Sequence, residues 1–163
     1  MITPAVIPNS VRVIVQDQET TSPVAGLVVL MMAIVPRKNN YTFGPKITDA
    51  AGKACFTRDE MMRGVHLNQK HSPMDYASSL AEMTGLEVEI PDTERIARLL
   101  EAARMWGAGE PEWRLSDEMI ERLKGASNRR YEPISVSVGR EEFSDVLEVK
   151  VSLQRRRGSP GAP

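Results

Sequence analysis

Residues 11–35 read VRVIVQDQETTSPVAGLVVLMMAIV. Val11, Val13 and Val15 alternate with Arg12, Ile14 and Gln16, the two-residue period of a strand that turns one face to a core. Residues 17–23 are rich in turn formers and end that strand. Residues 27–35 are then nine consecutive apolar side chains, several of them β-branched, bounded by Gly26 and Pro36. The run is far short of the roughly 20 residues needed to cross a bilayer as a helix. It reads as a strand whose two faces must both be covered.

Outward from this pair, a loop containing Asn39, Asn40, Gly44 and Pro45 carries Tyr41 and Phe43. The stretch PKITDAAGKACFT follows, with turn chemistry at residues 49–52 between two short strands, and it predicts a hairpin. On the second of those strands Ala54 and Phe56 share one face, and Lys53, Cys55 and Thr57 the other. Alternating segments recur at Val65 and Leu67, at Leu86, Val88 and Ile90, at Ile134, Val136 and Val138, and at Leu147, Val149, Val151 and Leu153. Between Ile90 and Tyr131 the period becomes helical. Asp92 is placed to cap a helix bearing Ile96, Leu99, Leu100, Ala103 and Trp106, and Ser116 to cap a second with Met119, Ile120 and Leu123, stopped by Gly125.

These signals predict a mainly β fold: about seven antiparallel strands in a β-sandwich spanning residues 11–154, with a two-helix insertion at 91–126 before the last hairpin. Residues 1–10 form an N-terminal arm and 155–163 a disordered basic tail. The helices are expected to dock over the outer face of the 27–35 strand, with a subunit interface at the same place as the rival arrangement. Parity puts Val11, Val13, Val15, Phe56, Val136, Val138, Val149 and Val151 in one core.

Composition narrows the function. In 163 residues, 41% are hydrophobic and 26% charged, which excludes wholesale disorder and fibrous classes. Twenty-one Lys and Arg against 22 Asp and Glu leave a net charge of -1 and no broad pull toward nucleic acid or an anionic membrane. One cysteine, Cys55, excludes an intrachain disulfide and a multi-cysteine zinc site. The first ten residues lack a basic n-region, and Pro4 and Pro8 interrupt their short apolar stretch, so a cytoplasmic location is expected.

The strand ending in Asp17, the turn with Pro23 and Gly26, the long apolar strand, and Thr48, Asp49, Gly52 and Phe56 resemble the prealbumin-like (transthyretin-like) β-sandwich family. That family includes the carboxypeptidase regulatory-like domains. The resemblance covers roughly residues 11–57 and implies the fold and an accessory, protein-binding role more than a chemistry. In its enzymatic branch, the hydroxyisourate hydrolases, an imidazole stands where this chain has Ile14. The C-terminal Tyr-Arg-Gly-Ser of that branch is matched only by Arg156, Arg157, Gly158 and Ser159, so the activity does not carry over.

Among chemical candidates, His66 and His71 are the only imidazoles, and Cys55 has Lys53 two residues away on the same strand face. These three define a hydrolase-like alternative, while no catalytic residue, metal ligand set or cofactor motif is assigned. Arg129, Arg130, Arg155, Arg156 and Arg157 are candidates for an acidic partner, or for nucleic acid through the tail as a second alternative. Tyr41, Phe43, Leu99, Leu100, Trp106 and Trp113 are candidate anchors for a protein partner. The leading expectation is a non-catalytic binding or adaptor module that meets another protein, or a second copy of itself, through the helical insertion or the apolar outer sheet face. It needs no membrane and no identified small-molecule substrate.

Overall fold

Strand β1 (Ser10–Asp17) is the centre of a three-stranded sheet, with β4 (Lys53–Thr57) antiparallel on one side and β7 (Val146–Leu153) parallel on the other. The second sheet has four strands, β3 (Tyr41–Ile47), β2 (Val28–Ile34), β5 (Gly85–Ile90) and β6 (Ile134–Gly139), in that order and all antiparallel. These elements come from a computed structural model that describes residues 8–36, 41–64, 82–106 and 117–157, with 41–44, 62–64 and 102–106 described by their backbone alone. Helix α1 (Arg58–Gly64) follows β4, helices α2 (Thr93–Trp106) and α3 (Asp117–Lys124) lie between β5 and β6, and a short 3-10 turn (Arg140–Glu142) leads toward β7.

The two sheets share one core. Val11, Val13 and Val15 of β1, Ala54 and Phe56 of β4, and Leu147, Val149, Val151 and Leu153 of β7 face Val29, Met31, Ala33, Leu86, Val88 and Ile90. Val136 and Val138 pack against this core at its half-buried rim. Every residue that parity assigned to the interior is therefore in the core or against it. The expected cover on both faces holds for the first part of residues 27–35, where the outward Val28 and Leu30 are also buried, whereas the outward Met32 and Ile34 are half-buried. Val28 packs with Ile96 of α2 and Leu123 of α3 in a second cluster, joined by Ile47, Leu100, Met119 and Ala126. The helices thus lie over the start of β2, and Asp92 caps α2 through the Arg95 amide at 2.8 Å.

Four expectations are corrected. The fold is not wholly antiparallel, because β1 and β7 run side by side in the same direction. Residues 48–52 do not close a hairpin: β3 and β4 belong to different sheets, and the turn carries the chain across the sandwich. The same holds for β6 and β7, so the helical insertion does not precede a hairpin. Alternation specifies which face a side chain takes but not which strand it pairs with, and a five-residue turn spans the roughly 10 Å between packed sheets. Finally, Tyr41 and Phe43 sit in β3 rather than in a loop, at register positions opposite Ala33 and Met31. The Val65–Leu67 segment lies outside the described residues.

Of the residues that carry the family resemblance, Phe56 fills the core, and four others shape the backbone. Gly26 and Gly52 have φ of 78° and 71°. A Cβ on Gly52 would fall 2.5 Å from the Val15 carbonyl oxygen, which leaves room only for hydrogen. Thr48 Oγ1 accepts from the Leu27 amide and donates to the Val24 carbonyl. Asp49 Oδ1 accepts from the amides of Ala51 and Lys53, an Asx-type turn.

Candidate functional site

The most highly connected polar group is Asp17, the last residue of β1, which is buried. Its Oδ1 accepts from the amides of Glu19 (2.8 Å) and Thr20 (3.1 Å). Its Oδ2 accepts from the Tyr131 hydroxyl (2.9 Å) and from Arg155 Nε (2.9 Å). The Arg155 guanidinium, aided by these other donors, holds the carboxyl well below the usual carboxylate range despite burial. Burial and the neighbouring Asp17 push Tyr131 up, and Asp17 likewise raises Arg155.

Around this carboxylate the segment returning from the helices is pinned. Asn128 donates through Nδ2 to the Pro91 carbonyl and accepts at Oδ1 from the Tyr131 amide, while its own amide donates to Thr93 Oγ1. Arg156 donates to the carbonyls of Tyr131 and Asn128. A carboxylate offers about four acceptor sites, and those of Asp17 are all in use, so it has none left with which to take a proton from a substrate. The network is a structural lock between the ends of β1 and β7 and the segment entering β6.

This corrects the expectation of a free basic tail beginning at residue 155. Arg155 is ion-paired with Asp17 and bridged to Tyr131, and Arg156 is spent on backbone carbonyls. Arg129, Arg130 and Arg157 are exposed. Residues 158–163 lie outside the described residues. Leu99 and Leu100 are half-buried, and Leu100 supports the cluster in which Ile96 and Leu123 are the buried anchors. Cys55 is exposed on β4, opposite Arg12 in register, and Ile14 lies opposite both Lys53 and Lys150. His66, His71 and Trp113 lie outside the described residues, as do the side chains of Tyr41, Phe43 and Trp106. Among the described residues no group of three or more His, Cys, Asp or Glu is gathered as a metal site.

The second feature is a cleft on the outer face of the four-stranded sheet, beside α2. It is lined by Leu30, Met31, Met32, Glu87, Glu89 and Arg95 and holds about 40 Å³. Register places Met32 opposite Glu87 and Leu30 opposite Glu89, and Arg95 Nε lies 3.5 Å from Glu89 Oε2. None of the three charged residues stood out in the sequence. The readable signal was the alternation Leu86-Glu87-Val88-Glu89-Ile90, which puts two carboxylates two residues apart on the face away from the core.

A cavity that takes a small-molecule substrate usually encloses about 300–1,000 Å³. This cleft is an order of magnitude smaller, the scale of one inserted side chain, with an apolar floor and an acidic rim. No helix among the described residues is long and apolar enough to cross a membrane. No family model matches this chain, and neither a curated protein nor a solved structure is detectably similar to it.

Proposed function

We infer that this domain is a non-catalytic protein-binding module of the prealbumin-like kind, and that its docking surface is the outer face of the four-stranded sheet next to α2. The observation that carries the reading is the cleft formed by Leu30, Met32, Glu87, Glu89 and Arg95, which suits one protruding side chain of a partner. The helices cover this sheet at Val28, while Met32 and Ile34, farther along the same strand, are only half-buried. Partly covered apolar side chains beside charged ones make the rim-and-core pattern of protein interfaces. The family resemblance supports the same role through the fold, since its shared residues serve turns and the core.

The test is site-specific photo-crosslinking in living cells. A photoreactive residue at position 32 is expected to give one dominant adduct with another protein, and the same residue at position 150, exposed on the opposite sheet, none. Equal adducts at both positions, or none at position 32, would overturn the reading.

A further inference from the structure

We propose that the open edge of β6 accepts an extended segment of a partner protein as a fifth strand of the four-stranded sheet, and that this segment alternates apolar with basic residues. The proposal rests on the protein-binding reading above and specifies the ligand. Among the described residues strand β6 pairs only with β5, and Ile134 to Val138 make no backbone hydrogen bond beyond that ladder. An open edge is a row of unpaired amides and carbonyls ready for another chain.

The other edges carry devices that discourage pairing. On β7 the outward residues include exposed Glu148 and Lys150, and on β4 exposed Lys53. Strand β3 has Pro45 within it, and its Lys46 is tied to Glu60 of α1 at 2.7 Å. Strand β6 reads ISVSVG, with no charge and no proline. Its inward side chains Ile134, Val136 and Val138 are half-buried, although their neighbours Leu86, Val88 and Ile90 on β5 are fully covered. An added strand with apolar residues at the matching inward positions completes that rim.

The outward side selects for positive charge. Exposed Ser137 lies opposite Glu87, and exposed Ser135 opposite Glu89. These two hydroxyls are small, so a long side chain on the added strand passes over them to the carboxylates, two strand spacings or about 9.6 Å away. Glu87 has no ionic partner among the described residues, and Glu89 has only Arg95 at 3.5 Å. A Lys or Arg aligned with each serine therefore meets an acidic group beside the cleft.

The test uses the whole protein, isotopically labelled, and two capped peptides, one alternating Lys with Val and one alternating Glu with Val. The Lys peptide is expected to bind, with amide shifts concentrated on residues 134–138, and to bind more weakly as salt rises. Glu87→Lys should weaken it about tenfold or more, and Glu148→Lys on the far sheet should leave it unchanged. Equal binding of the two peptides, shifts centred elsewhere, or indifference to Glu87→Lys would each overturn the proposal. So would rapid interchain disulfide formation by Ser137→Cys without peptide, which would mean that a second copy already occupies the edge. Crosslinking at position 32 that persists while the peptide fails would remove strand addition and leave the docking face standing.

Discussion

Gly52 and Gly26 share a left-handed backbone but not an environment, so the same substitution separates strain from collision. Gly26→Ala has open space around the new methyl group and should cost about 1 kcal/mol for the conformation alone. Gly52→Ala adds a clash with the Val15 carbonyl and should cost about 3 kcal/mol, readable as the difference between two denaturant midpoints. Asp17 gives the pH counterpart. Its folded-state pKa lies below its unfolded value of about 3.9, so its contribution is full above that pH and is lost as pH falls below it. Asp17→Asn should lower the melting temperature at neutral pH and flatten the acid limb of the stability profile; an unchanged acid limb would show that other carboxylates set it. Tyr131, raised in the fold, should contribute to the alkaline limb instead, with stability lost above about pH 10. Neither partner of Asp17 was legible in the sequence, because Arg155 lies 138 positions away and nothing local marks the pair.

At the scale of elements, strands show how far parity reaches. Val149, 3% exposed, and Val146, 45% exposed, occupy the same strand, so Val149→Ala should cost about 2 kcal/mol and Val146→Ala close to nothing. Similar losses at both would place β7 in another register. The helical insertion depends on few side chains: Leu123 is fully buried against Val28 and Ile96. Leu123→Ala should cost about 2–4 kcal/mol, and hydrogen exchange should show whether α2 and α3 loosen alone or with the sheet. Helix α1 was missed, although its signal is present: Thr57 and Glu60 form a reciprocal capping box, each accepting the other's amide at 3.2 Å. The helix is only seven residues long, too short to show an apolar period, so the cap was its one readable mark. Only the first half of β3 reads as a loop, because Gly44 and Pro45 interrupt it, and an edge strand tolerates both.

For the whole molecule, face assignments were legible and pairings were not. Alternation recovers the core from nearest neighbours in sequence, whereas the partnership of β1 with β7 joins the first strand to the last and is set by the packed sandwich. The same separation explains why the β6 edge and the acidic pair beside it emerge as a surface only after folding. The β1–β7 ladder also has a mechanical consequence. The strands are parallel, matched from Ser10 with Val146 to Asp17 with Leu153, so the chain enters at one end of the ladder and leaves at the other, roughly 23 Å away. Tension applied through the two ends of the domain slides the strands lengthwise and loads the rungs together. Tension applied through positions 9 and 145, which lie side by side with the Asn9 amide 2.8 Å from the Asp145 carbonyl, peels them one at a time. Single-molecule pulling should therefore find a much higher rupture force in the first geometry. A domain wired in this way resists tension along its own chain, and the β6 edge, which belongs to the other sheet, lies outside the loaded ladder.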